Sequence, residues 1–283
     1  MSDLTYKDKT YSWEELKEEN NRFIKSLERP DDFLNYVNLW NVLIHRDEHY
    51  CMAIDRIESL YHLIGTARFS LANSFKKFPD SDIVSLKAPY VFQLAIRANH
   101  LKNSIVWYNA CEDYIYQIIW CAFELHGIKF DKPEAYKQIL EGCKYNEVKK
   151  KLEKVGSNEA KTLLAYIKDY RCNEDVKYLR KNLANNLKHH GSLEVKGLFV
   201  GKAAGYVRLD SDENVDFNAS WLSPDLIDID ETIEYLKRVH PLVIEFARNV
   251  IKFINFEDAR GEVKPLEWEV TKPKSDYRKI MLD

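Results

Sequence analysis

The 283-residue chain predicts an all-α protein, a helical bundle of about eight helices with a small β-hairpin insertion. Three observations carry this. Apolar residues recur at three- and four-residue spacing through most of the chain. Nine glycines and eight prolines are too few for a loop-rich or many-stranded architecture. The balance of 45% apolar and 31% charged residues is that of a packed domain rather than a disordered one. Aromatics reach 13%, with 17 Tyr and 6 Trp, so the core is built on large rings.

The elements follow in order. Ser12-Trp13-Glu14-Glu15 is a capping box that opens a short polar helix to about Leu27. Residues 1–30 therefore read as an N-terminal helical extension. Pro30-Asp31-Asp32 restarts the chain, and Phe33, Tyr36, Val37, Trp40, Leu43 and Ile44 recur at helical spacing. A second run passes through Met52, Ile57, Leu60, Ile64 and Leu71 and stops at Pro79. Residues from about Pro89 to Leu125 form the longest periodic segment, closed by Gly127 as a C′ glycine. Its middle is apolar nearly all round, which places it at the centre of the bundle. Shorter helices are expected over Pro133–Glu141, Asn146–Lys154 and Asn158–Tyr170, and Asn173 caps another that runs to His189. The stretches Leu193–Val200 and Tyr206–Leu209, set between glycines, predict the hairpin, and 210–218 an acidic loop. Asp230 is expected to cap a last helix through Phe253. The main domain spans 31–260, and 261–283 is a charged tail.

A net charge of −3 excludes a protein held on nucleic acid by bulk positive charge. No apolar run is long enough for a membrane helix or a signal peptide, and the five scattered cysteines suit free thiols. The expectation is a soluble cytoplasmic protein. Charge is nevertheless unevenly spread: residues 144–202 carry 14 Lys/Arg against 7 Asp/Glu. Lys149-Lys150-Lys151 and the series Lys177, Arg180, Lys181 and Lys188 offer a surface to phosphates, or simply solvated helix faces.

Three constellations could carry chemistry. His45 and His49 have a metal-compatible i, i+4 spacing but no third ligand nearby, so no metal or other cofactor is expected. Glu112 and Asp113 interrupt the most apolar helix and need a partner there, either in an internal ion-pair network or to orient a catalytic Arg or His. The third is Tyr178-Leu-Arg-Lys-Asn-Leu-Ala-Asn-Asn-Leu-Lys-His-His-Gly191. In α-helical geometry Asn182, Asn185 and His189 share one stripe, and Asn186 and His190 the next, while Leu179, Leu183 and Leu187 are buried. Tandem asparagines are poor helix formers, so selection for more than helix stability is implied. No Gly-rich phosphate loop and no serine or cysteine triad signature is present.

The long helix Asn103-Ser-Ile-Val-Trp-Tyr-Asn-Ala-Cys-Glu-Asp-Tyr-Ile-Tyr-Gln-Ile-Ile-Trp120 and the later helix ending Asn-Asn-Leu-Lys-His-His-Gly resemble the prokaryotic HEPN (higher eukaryotes and prokaryotes nucleotide-binding) superfamily, over about residues 33–255. The resemblance implies an RNA-directed protein. Many members are metal-independent endoribonucleases of toxin–antitoxin or defence systems, working as dimers through an Arg and a His near a helix end. It thus implies a homodimer and an antitoxin or neighbouring-gene partner. The catalytic candidates are His189, His190, Arg180 and Asn185. Lys149, Lys150, Lys151, Lys177, Lys181 and Lys188 are the RNA-binding candidates, with Glu112, Asp113, Asn182 and Asn186 in support. The family spacing before His189 holds Asn182, Leu183, Ala184 and Asn185 rather than an Arg. At α-helical pitch the nine steps from Arg180 to His189 leave the two about 180° apart. Either a different cation serves (Arg171, Lys181 or one from a second subunit), or the site binds RNA without cleaving it. A different class stays open: a non-catalytic helical dimerisation or interaction module.

Overall fold

A computed structural model describes residues 4–30, 48–78, 89–128, 133–190, 193–198, 208–209, 215–216 and 226–254. It is an all-α bundle with small β elements. A hairpin of β1 (Leu4–Tyr6) and β2 (Lys9–Tyr11) leads into α1 (Trp13–Ser26). Helices α2 (Glu48–Phe75), α3 (Pro89–Ala122), α4 (Pro133–Gly142), α5 (Tyr145–Val155), α6 (Asn158–Cys172) and α7 (Glu174–Tyr178) follow. The chain then continues through short strands β3 (Glu194–Val195), β4 (Arg208–Leu209), β5 (Val215–Asp216) and β6 (Leu226–Ile227) to α8 (Ile229–Phe253). The helix expected from Phe33 to Ile44, His45, and the tail 261–283 lie outside the described residues.

The bundle is organised on α3, as its near-continuous apolar surface requires. Helices α2 and α3 pack along their length, and α8 lies across both. Ile57, Leu60 and Ile64 of α2, Leu101, Ile105 and Ile115 of α3, and Leu236, Val243 and Val250 of α8 are all buried between them. Among the described residues no helix is long and apolar enough to cross a membrane.

Local signals close most ends. Ser12 and Glu15 form the expected capping box, Ser157 caps α6, and Asn173 accepts from the backbone N–H of Asp175 and Val176 to start α7. After α3 the chain turns through Glu124 and Gly127, both at positive φ. The cap of α8 differs from expectation. Asp228, not Asp230, accepts the first backbone N–H groups, and Asp230 points into the bundle instead. Helix α2 ends at Phe75, before Pro79, because α3 takes its terminal carbonyls: Arg97 Nε donates to Ser74 O at 2.7 Å and Gln93 Nε2 to Lys76 O at 2.8 Å.

The β pairing also differs. Glu194–Val195 does not pair with 208–209; it runs parallel to Leu226–Ile227, while Arg208–Leu209 pairs antiparallel with Val215–Asp216. Val195 and Ile227 are both buried, so the core draws these two strands together. Gly197, at φ 92°, turns the chain at once, and a Cβ there would meet Leu94 at 3.2 Å. The antiparallel pair thus joins Arg208–Leu209, expected as a strand, to Val215–Asp216 in the stretch expected to be an acidic loop.

The N-terminal hairpin and α1 are tied to the bundle by polar bonds. Arg68 donates to the carbonyls of Ile24 and Leu27, His240 Nε2 to Glu28 O at 2.6 Å, and Arg248 to the Glu28 carboxylate at 2.7 Å. The orphan carbonyls at the end of α1 are thus satisfied from α2 and α8.

Candidate functional site

The segment that carries most of the candidate residues is not an ordinary α-helix. After Tyr178 it widens to π-helical hydrogen bonding over Leu179–Ala184 and again over Asn186–His190, with Asn185 N–H bonded to Arg180 O. Such i→i+5 helices are rare, and they occur frequently at functional sites. The sequence contains a reason for this one. Leu179, Leu183 and Leu187 repeat every four residues, a period wider than the 3.6 of an α-helix. Leu179 and Leu183 are buried and Leu187 half-buried on the core side.

This winding changes which side chains align, and it corrects the α-helical stripes. Residues four apart now stand in columns. Lys181, Asn185 and His189 form one column, exposed at all three positions. Arg180, Ala184 and Lys188 form the column beside it, half-buried, buried and exposed in turn. Asn182 and Asn186 lie on the other flank with the backbone of His190. At about 85° per residue, nine steps leave Arg180 and His189 only about 45° apart rather than opposite. His189 is exposed to solvent, not held in a packed core.

Beneath this helix lies a buried charge cluster on α3. Glu112 is 5% exposed. Its Oε1 accepts from Arg171 Nη1 of α6 and from the hydroxyl of Tyr116, one turn further along α3. Arg171 Nη1 also lies 3.2 Å from the Tyr116 hydroxyl, and its guanidinium stacks 3.7 Å above the Tyr145 ring at the start of α5. Glu112 Oε2 faces Arg180 Nη1 at 3.6 Å. That nitrogen is buried and, among the described residues, has no hydrogen-bond partner. Burial raises the Tyr116 hydroxyl well above its ordinary range, and the Glu112 charge adds to this, so the phenol stays protonated and donates.

Asp113 does not share that role. Its side chain reaches solvent, but partial desolvation and the adjacent Glu112 raise its pKa, against the lowering effect of Lys188 and Arg171. Lys188 therefore stands near Asp113, above the middle of α3.

The lysine candidates separate into two groups. Lys181 and Lys188 belong to the wide helix, whereas Lys177 pairs with Glu174 at 2.6 Å. Lys149, Lys150 and Lys151 are exposed on α5, with Lys149 placed 3.6 Å from Glu153. Helix α5 begins at Tyr145, against Arg171, and Lys151 comes near enough to His126 to depress its pKa, below the larger effects of burial and His49. The triple lysine thus lies on the helix that begins against Arg171. Tyr116 and Tyr145 were not singled out in the sequence. Tyr116 could have been found as the i+4 neighbour of a carboxylate in an apolar helix.

His49 Nε2 lies 3.3 Å from Glu124, and its ring stands 5.2 Å from that of His126. Among the described residues, no group of three or more His, Cys, Asp or Glu is placed to hold a metal.

No family model, no curated protein and no solved structure matches this chain.

Proposed function

We propose that the chain is an RNA-directed protein of the HEPN type that its long helix and Asn/His helix resemble, and that it cleaves RNA without a metal. The observation that carries this is the exposed column Lys181–Asn185–His189, flanked by Arg180 and Lys188. It sets an imidazole, an amide and cations along one face of a helix. His189 takes the proton of a ribose 2′-OH as that oxygen attacks the adjacent phosphorus. The P–O5′ bond then breaks to leave a 2′,3′-cyclic phosphate, and the departing 5′-oxygen takes a proton from the imidazolium or from water. Asn185 donates to the phosphate, and the cations offset charge on the phosphorane. The lysines of α5 continue the track for the RNA backbone. The homodimer and the antitoxin or neighbouring-gene partner belong to the same proposal.

One observation favours the non-catalytic interaction module: Arg171 Nη1 is held by Glu112 and Tyr116, and its guanidinium stacks on Tyr145. The test is a mixed RNA pool incubated in chelator with wild type, His189→Ala and His190→Ala. Loss of a general base lowers the rate by about a hundred- to ten-thousandfold, so His189→Ala should leave the RNA intact while wild type cuts it. Equal survival of RNA with both proteins rejects cleavage.

A further inference from the structure

We propose that Glu112 is a positioning residue that holds Arg180 at the edge of the wide helix so that its outer face receives an RNA phosphate; this rests on the RNA-directed reading above. Glu112 is buried, and its two oxygens are used differently. Oε1 is taken by Arg171 and the Tyr116 hydroxyl, and stacking on Tyr145 holds that guanidinium in place. Oε2 is left to Arg180 Nη1, at a separation of 3.6 Å that is an ion pair but not a hydrogen bond. Arg180 is thus gripped at its inner nitrogen by charge alone, while its side chain remains 20% exposed. Two guanidinium groups share the one buried carboxylate, with Asp113 exposed beside it, and the wide winding brings Arg180 toward the column of His189. An anion arriving from outside meets an Arg whose orientation is already set, and an Arg fork suits a phosphodiester.

The sign of a single substitution separates positioning from plain electrostatics. Glu112→Gln removes a negative charge close to a polyanion, which by charge alone tightens RNA binding. Positioning demands the opposite. The measurement is the affinity of a single-stranded RNA oligonucleotide across a salt series, with circular dichroism to verify folding. Expected are about tenfold weaker binding for Glu112→Gln, the scale of one charge-assisted contact, and a salt slope reduced by about one phosphate. Arg180→Gln should show the same loss, and the double variant no more than either alone. Asp113→Asn, one residue away but exposed, should bind slightly tighter. Should Glu112→Gln fail to fold, Tyr116→Phe keeps the carboxylate and must weaken binding in the same direction. Binding by wild type that Glu112→Gln or Tyr116→Phe leaves equal or tighter overturns the positioning role alone. A wild type that binds no RNA overturns the RNA-directed reading, and the positioning role with it.

Discussion

Two polar clusters are built on the same long helix, and they differ in whether they close. Arg97, near the start of α3, is 1% exposed, and each of its nitrogens that bonds has a good partner. Nε donates to Ser74 O, Nη1 to the Tyr6 hydroxyl at 2.6 Å, and Nη2 to Asp230 at 2.6 Å. Lys7 completes the set at 2.7 Å from Asp230. Burial works against ionisation of Asp230, but the bonds from Lys7 and Arg97 overcome it and hold that carboxyl below its ordinary range. Burial likewise raises the Tyr6 hydroxyl to about 12. The Glu112 cluster, four turns further along α3, leaves Arg180 Nη1, on the wide helix, without a hydrogen bond among the described residues. A closed network joins elements together, whereas one left open at its edge has capacity for a ligand.

The largest expected effect breaks the closed cluster. Arg97→Met leaves the half-buried Asp230 to Lys7 and Tyr6 alone and leaves Ser74 O without its donor, and should cost about 1–3 kcal/mol of unfolding free energy, measured by urea titration. Its RNA affinity per folded molecule should match wild type. A loss of less than about 1 kcal/mol would show that the N-terminal hairpin is not held by this network.

A smaller effect is read from pH. His240 is 1% exposed, with Nδ1 accepting from the Tyr108 hydroxyl at 2.8 Å and Nε2 donating to Glu28 O. Burial is the largest cause of its lowered pKa, and Arg68 adds to it against the opposing influence of the Glu28 carbonyl and charge. The folded state therefore refuses a proton that the unfolded chain accepts near the ordinary value of 6.5. This stability is fully present above that value and is lost as pH falls below it, with a limiting slope of about 1.4 kcal/mol per pH unit for one excluded proton. Burial also lowers His100 and His126, with the same sign. Chemical denaturation between pH 7 and 5.5 should show the decline, and His240→Gln should flatten it. An unchanged slope in that variant would assign the decline to other histidines.

The smallest effect belongs to the open side. His189→Ala removes an exposed side chain and should shift stability by no more than about 0.5 kcal/mol, in contrast to its effect on RNA cleavage. A larger shift in thermal melting would mean that His189 is part of the packing, and the contrast between the two clusters would narrow.

Much of the helical framework was legible in the chain because its signals are local. Ser12 with Glu15, Ser157, and Asn173 ahead of Asp175 and Val176 each act within a few residues of a helix start. The apolar run of α3 announced a central helix in the same way. The Asn/His helix was recognised as unusual, but its columns were misassigned because a 3.6-residue pitch was applied to a segment whose leucines repeat every four. The N-terminal hairpin was missed: its strands are three residues each, and Lys7 and Asp8 adopt positive φ without a glycine.

The sequence by itself determined where helices form and most of the caps that start them, through periodicity and side chains that bond their own backbone. Tertiary structure decided which Asp caps α8, which strands pair, how wide residues 179–190 wind, and which polar groups close on each other. Those outcomes depend on partners far apart in the chain, 59 residues for Arg171 and Glu112 and 133 for Arg97 and Asp230. Such partners meet only after the apolar faces have packed, and only then does burial make an unmatched charge costly enough to select one arrangement.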